Sequence, residues 1–209
     1  AGVAPGDKII GINGHKISSW DVAQIYLAMK DDDGAYDFEI EHDDGKRETY
    51  SVTPQKITDE ATGKETILFG VGIKTETSNN LLQHIKYAFL KFQSIVNSMY
   101  LTVLGLITGK IAVSALSGPV GIFEVIGQSM AAGVYYVIYI TAFLSINVGV
   151  INILPFPAFD GGRVFFLIVE KIKGSPVNSK FESICHTVGF MLLILLMLYV
   201  TIQDIIRLF

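Results

Sequence analysis

A single cysteine, Cys185, stands among 209 residues, so no intrachain disulfide can brace this chain. Charge is also scarce: 17% of residues are charged against 50% hydrophobic, a membrane-protein balance that excludes an ordinary soluble domain. From Val134 to Leu154 there is no charged side chain at all. Histidine is limited to His15, His42, His84 and His186; none forms an i, i+4 pair, and no His-Glu-x-x-His occurs. Scattered in this way, they read as solvated or interfacial residues, and these residues alone cannot assemble a zinc site with three protein ligands. No basic stripe marks a nucleic-acid partner. No signal-peptide pattern opens the chain. It starts at Ala1-Gly2-Val3 and enters a motif almost at once, which we read as a fragment of something longer.

The charges that are present divide unevenly. Residues 1–80 carry eight Lys or Arg against fifteen Asp or Glu, and the remainder carries eight against five, so an acidic soluble module precedes a mildly basic membrane module. In the acidic part, Pro5-Gly6-Asp7 is a turn, Lys8–Ile12 an apolar strand and Asn13-Gly14 a two-residue hairpin signal. Ser18 or Ser19 can cap a helix over Trp20–Met29, ended by the acidic run Asp31-Asp32-Asp33-Gly34. Tyr36, Phe38 and Ile40 alternate with polar residues, Asp43-Asp44-Gly45 turns the chain, and Glu48–Thr53 returns as a strand. Leu68–Ile73 offers a further strand or an exit segment.

Three helical stretches follow. Leu81–Ile107 mixes Lys86, Lys91, Gln93, Asn97 and Ser98 with apolar residues, which predicts an amphipathic helix lying on the membrane or against other helices. Ser117-Gly118-Pro119-Val120-Gly121 is expected to be a turn leading to a short segment, Ile122–Met130. Val134–Leu154 is long enough to cross the hydrocarbon core, and so is a last span over about 186–203. The residues between these spans, read as a short loop, hold Arg163, Lys171, Lys173 and Lys180, and the positive-inside rule places that loop in the cytoplasm and the acidic module on the other side.

Asn152-Ile-Leu-Pro-Phe-Pro-Ala-Phe-Asp160-Gly-Gly ends the first span. Pro155 and Pro157 lack N–H groups, so nearby carbonyls lose partners where water cannot replace them. An ionisable Asp160 there is costly unless it is paired, reaches the interface or binds a cation. It can cap a helix starting at Gly161-Gly162-Arg163 or pair with Arg163, and Asn152 can be an interhelical hydrogen-bonding residue. Asn147, beside Ser145, adds another polar side chain to the span. Together these polar groups around a broken backbone point to a site.

Two resemblances sharpen this reading. Ala1–Gly14 resembles the PDZ pattern of small peptide-binding domains, with Trp20–Met29 as their groove helix; the other groove wall would precede Ala1, so peptide binding is not expected of these residues alone. Asn152-x-x-Pro155-x-Pro157-x-Phe159-Asp160-Gly161 is similar to the Asn-x-x-Pro-x-Pro-x-Leu-Asp-Gly signature of the site-2 proteases, zinc enzymes that cut inside membranes, with Phe159 for the usual leucine. The order of module, helix, turn, motif-bearing span and last span resembles the bacterial RseP-type branch of that family throughout. The resemblance implies Zn2+ with Asp160 as one ligand and two histidines from a His-Glu-x-x-His helix outside this chain, whose glutamate is the general base. It also implies Asn152 as a substrate-holding group, with Asn147, Pro155 and Pro157 in the same wall.

The expected fold is therefore an α+β PDZ-like module truncated at its N-terminus, over residues 1–75, then an amphipathic helix and connecting turn to residue 130, then a C-terminal α-helical portion, residues 131–209, with two transmembrane helices. The expected function is that of the C-terminal part of an intramembrane zinc endopeptidase of a bacterial cell membrane. Its partners would be the lipid bilayer and transmembrane protein substrates such as anti-sigma factors or signal-peptide remnants, and the piece itself is expected to be inactive. A catalytically dead PDZ-containing membrane adaptor is the alternative. A transporter half with a broken helix would predict an internal repeat, and none is visible.

Overall fold

The structure, a computed structural model, describes residues 3–29, 34–58, 65–68 and 80–208. They form two compact units, Ala1–Ile111 and Ala112–Phe209, each considered by itself.

In the first unit, β1 (Lys8–Ile12) and β2 (His15–Lys16) make a hairpin that pairs Gly11 with Lys16 and Ile12 with His15. Asn13 and Gly14 both have positive φ, 50° and 75°, the backbone a type I′ turn requires. Helix α1 (Trp20–Ala28) starts where expected, its Ser19 cap accepting from the Val22 N–H. Strands β3 (Tyr36–Glu41) and β4 (Arg47–Val52) complete a four-stranded antiparallel sheet of order β2-β1-β3-β4. The alternation in β3 buries Tyr36, Phe38 and Ile40, which join Ile12, Ile17, Val22 and Ala23 in the core. A second hairpin, β5 (Gln55–Thr58) with β6 (Glu65–Leu68), was not foreseen, because its residues do not alternate cleanly between apolar and polar. The expected strand over Leu68–Ile73 lies outside the described residues except for Leu68, which ends β6; the acidic run at 31–33 also lies outside them.

Helix α2 (Leu81–Ile107) has the predicted bounds, with the Asn80 side chain accepting from the Leu82 N–H. It packs on α1. Lys91 Nζ lies 2.8 Å from both carboxylate oxygens of Asp21, Ser94 Oγ lies 2.6 Å from Ser19 Oγ and 2.5 Å from Asp21 Oδ2, and Leu101 rests on the sheet core.

The second unit departs further from expectation. After a 3-10 turn at Val113–Ala115, α3 (Pro119–Ala132) begins inside the segment expected to be a turn. Pro119 occupies the first helical position, where its missing N–H would have no intrahelical partner anyway. The Gly118 cap has no side chain to offer, and the N–H of Gly121 donates instead to Asp204 Oδ2 at 2.8 Å, a carboxylate supplied by another helix. Helix α4 (Val134–Ile153) matches the expected span, and none of its residues is buried. The stretch expected to be a basic loop instead forms α5 (Asp160–Lys173), ended by Gly174 at φ 73°. The alternation of Val164, Phe165, Leu167, Ile168 and Ile172 with charged residues is helical, and the prolines and basic residues masked that period. The last helix, α6, runs over Ser179–Leu208, well beyond the expected 186–203, because its polar first turns fell below the apolar window.

Among the described residues three helices, not two, are long and apolar enough to cross a membrane by length and composition: Leu81–Ile107, Val134–Ile153 and Ser179–Arg207. The fold class is thus a small antiparallel sheet plus helices, with one more span candidate than expected.

Candidate metal and substrate site

The Asn152–Gly162 segment joins α4 to α5 through a backbone whose N–H groups can be followed one by one. Leu154 N–H donates to Ile151 O at 3.1 Å, Phe156 N–H to Leu154 O at 2.7 Å and Phe159 N–H to Phe156 O at 3.2 Å. Pro155 and Pro157 have none to give. The remaining one, that of Ala158, donates to His186 Nδ1 on α6 at 3.0 Å. The break predicted to leave polar groups unpaired therefore satisfies every N–H from 154 to 159, as a non-aqueous surrounding demands.

Glycines make this close folding possible. A Cβ on Gly161 would run into the carbonyl oxygens of Ile153 and Leu154, and one on Gly162 into that of Phe156. From α6, Gly189 lies so close that a Cβ there would sit 2.5 Å from Pro157 O. The paired glycines after Asp160 are thus read in the structure as contact points between backbones.

Asp160 is the first residue of α5 and is exposed; the cap position belongs to Phe159. It does not cap the helix, and no ion pair joins it to Arg163. Its negative charge sits favourably at the positive end of the helix dipole, with both oxygens uncommitted among the described residues. Asn152, one residue before the end of α4, is half-exposed, as is Asn147. Five residues of α-helix separate the two by about 140° around the axis, so they do not face the same way. Pro155 is exposed and Pro157 is partly covered.

Among the described residues no group of three or more His, Cys, Asp or Glu side chains could hold a metal ion. The donor set fits a single zinc ligand from this unit: an exposed carboxylate with no other partner among the described residues, just after a turn whose N–H groups are paired. His186, read from sequence as an interfacial residue, is instead packed against the motif, its ring 5.7 Å from that of Phe166 and its Nε2 buried 3.9 Å from Glu182 Oε1, too far for a hydrogen bond. The only sequence signal for it was a polar residue three before a glycine in an apolar helix. Asp204 was missed because the N–H it accepts from, that of Gly121, lies 83 residues earlier.

The profile described as Peptidase family M50 matches residues 3–196. Among curated relatives, the zinc metalloprotease RasP of Geobacillus kaustophilus is 39% identical over 216 residues, covering 100% of this chain and 48% of the relative. The regulator of sigma-W protease RasP of Bacillus subtilis is 38% identical over 211 residues with the same coverage, and the zinc metalloprotease RasP of Shouchella clausii is 35% identical over 211 residues, 49% of its length. The chain spans about half the length of the curated relatives it matches.

Proposed function

The chain belongs to peptidase family M50, and on that premise we propose that it forms the C-terminal part of an intramembrane zinc endopeptidase, with Asp160 as a metal ligand. The observation that carries this reading is the Asp160 carboxylate, exposed and unpaired among the described residues at the start of α5, just after a backbone break whose N–H groups from Leu154 to Phe159 are all satisfied. Zinc, when bound, supplies Lewis-acid polarisation of a carbonyl and activates water at neutral pH. This chain's residues orient and hold. Asn152 lies eight residues before Asp160 on the other side of the break, and its amide can donate to and accept from the backbone of a locally unwound substrate helix. Pro155 and Pro157 keep the segment between them from reverting to helix. Asn147, turned away from Asn152, is the weaker support. The substrates are transmembrane proteins, such as anti-sigma factors or signal-peptide remnants. The remaining ligands and the general base come from a His-Glu-x-x-His helix outside these residues, so the 209-residue chain alone binds zinc weakly and does not cleave.

The first unit we read as PDZ-like, and α2 as a surface helix. Its Lys91–Leu101 stretch is committed to the module through the Asp21 ion pair and the sheet core, which is incompatible with immersion of the same stretch in hydrocarbon. At 14 residues α3 is too short to cross. One span, α4, then separates the extracytoplasmic module from the cytoplasmic basic end of α5. In a Cys185→Ser background, a membrane-impermeant maleimide should label Asp44→Cys in intact cells and Lys171→Cys only after permeabilisation. Labelling of both from one side sinks this orientation.

The site itself is tested in the full-length protein. Asp160→Ala should lower zinc content and cleavage of a transmembrane substrate by orders of magnitude. Unchanged zinc and activity would remove Asp160 from the ligand set.

A further inference from the structure

We infer that His186, seated with Gly189 on one face of α6, is a positioning residue that fixes the Ala158–Asp160 segment, a role that rests on Asp160 being a metal ligand. Of the N–H groups from Leu154 to Phe159, those of Leu154, Phe156 and Phe159 donate to carbonyls two or three residues back, and only that of Ala158 relies on a side chain of another helix, His186 Nδ1 at 3.0 Å. Ala158 has φ 89°, a conformation side-chain-bearing residues rarely adopt, so it needs an external partner to persist. His186 supplies that partner, and Ala158 stands two residues before the carboxylate. His186 and Gly189, three residues apart on a helix, share a face. Gly189 admits Pro157, a Cβ there falling 2.7 Å from Pro157 Cβ, while the imidazole holds the next residue. The ring is held from a third side by Phe166 of α5, the helix that Asp160 begins. Because Nδ1 accepts, the neutral ring carries its proton on Nε2. Through Nδ1 and its ring, the imidazole therefore ties the α4–α5 connection and α5 to α6.

The test uses the full-length protein with its metal, reading hydrogen exchange of the loop peptide containing Ala158 and zinc affinity by competition with a chelator. His186→Leu removes the acceptor and should speed Ala158 exchange and weaken zinc binding, each about tenfold. His186→Asn, whose amide oxygen reaches the place of Nδ1, should restore most of both, whereas His186→Gln, whose amide reaches towards Nε2, should not. This Asn and Gln pair decides the matter even where the leucine variant fails to fold. Equal behaviour of Asn and Gln, or unchanged exchange in the leucine variant, overturns the inference. Faster exchange with zinc affinity unmoved by His186→Leu yet lost in Asp160→Ala also overturns it, since the loop would then not aim the ligand. Zinc unmoved by both variants, with exchange still faster in His186→Leu and rescued by Asn alone, supports the loop contact and sinks Asp160 as ligand instead.

Discussion

Each unit is packed internally by an opposite use of side-chain size. In the first, Ile12 and Phe38 are almost wholly buried, and the sheet exists to cover such side chains. In the second, α4 buries none of its residues, while Gly161, Gly162 and Gly189 bring backbone against backbone and Gly118 and Gly121 admit Asp204. The difference follows from the solvent. Water drives apolar side chains inward, but hydrocarbon is as apolar as leucine and provides no such drive, so helix contacts are decided by small residues and a few polar partners.

Substitutions of opposite sense give the strongest test. Phe38→Ala should destabilise the first unit by about 3–5 kcal/mol, read from the urea midpoint of Trp20 fluorescence, the single tryptophan, which packs on that core. In the second unit the sensitive change is enlargement. Gly161→Ala must displace the backbone of Ile153 and Leu154 and should cost about 1–3 kcal/mol or more, seen as faster loop exchange with the Trp20 midpoint unmoved. Truncating the 79% exposed Ile153 to alanine should do little by comparison. A loop indifferent to Gly161→Ala, or a unit badly hurt by Ile153→Ala, breaks the comparison.

A smaller effect is expected at Asp204, the buried carboxylate that takes the place of a local cap for α3. Asp204→Ala should cost about 1–2 kcal/mol, the usual range for loss of an N-terminal cap. Exchange should rise at Gly121 and its neighbours and not at Ala158. A rise at both sites would show that the second unit responds as one body to any loss, and that its contacts are not separable.

What could be read in advance divides along the same line. The bounds of β1, the Asn13-Gly14 hairpin turn, a serine cap before α1 and the bounds of α2 were legible because their signals are local: alternation, an Asn-Gly pair, a capping side chain, a helical period. At the motif only the pattern of residue types was legible. That Gly118, Gly161 and Gly189 are contact points, that Asp204 caps a helix more than 80 residues earlier and that His186 holds Ala158 were not, because each depends on a partner far away in sequence. The basic stretch after Asp160 was mistaken for a loop for a related reason. A short connection with prolines on one side and lysines on the other resembles loop composition, and only its apolar face, period 3.6, reveals α5.

The smallest effect is a pH dependence confined to the first unit. Tyr50 on β4 donates to Glu48 Oε2 at 2.8 Å, and this hydrogen bond, with desolvation and the charges of Glu48 and Asp7, raises its pKa above the ordinary 10.0. The unfolded chain lacks these neighbours, so between the two values the folded module binds more protons than the unfolded one. Its stabilisation by Tyr50 is complete below the unfolded value and is lost as pH rises through the folded value. Between about pH 9 and 11 the Trp20 midpoint should therefore fall, and Tyr50→Phe should flatten the fall by removing the titrating group while leaving its ring. An identical slope in the phenylalanine variant would assign the alkaline loss to other groups. A change in the protection of Ala158 over the same range, beyond the hydroxide-driven rise of intrinsic exchange and absent from Tyr50→Phe, would mean that the two units, held by such different contacts, do not respond independently.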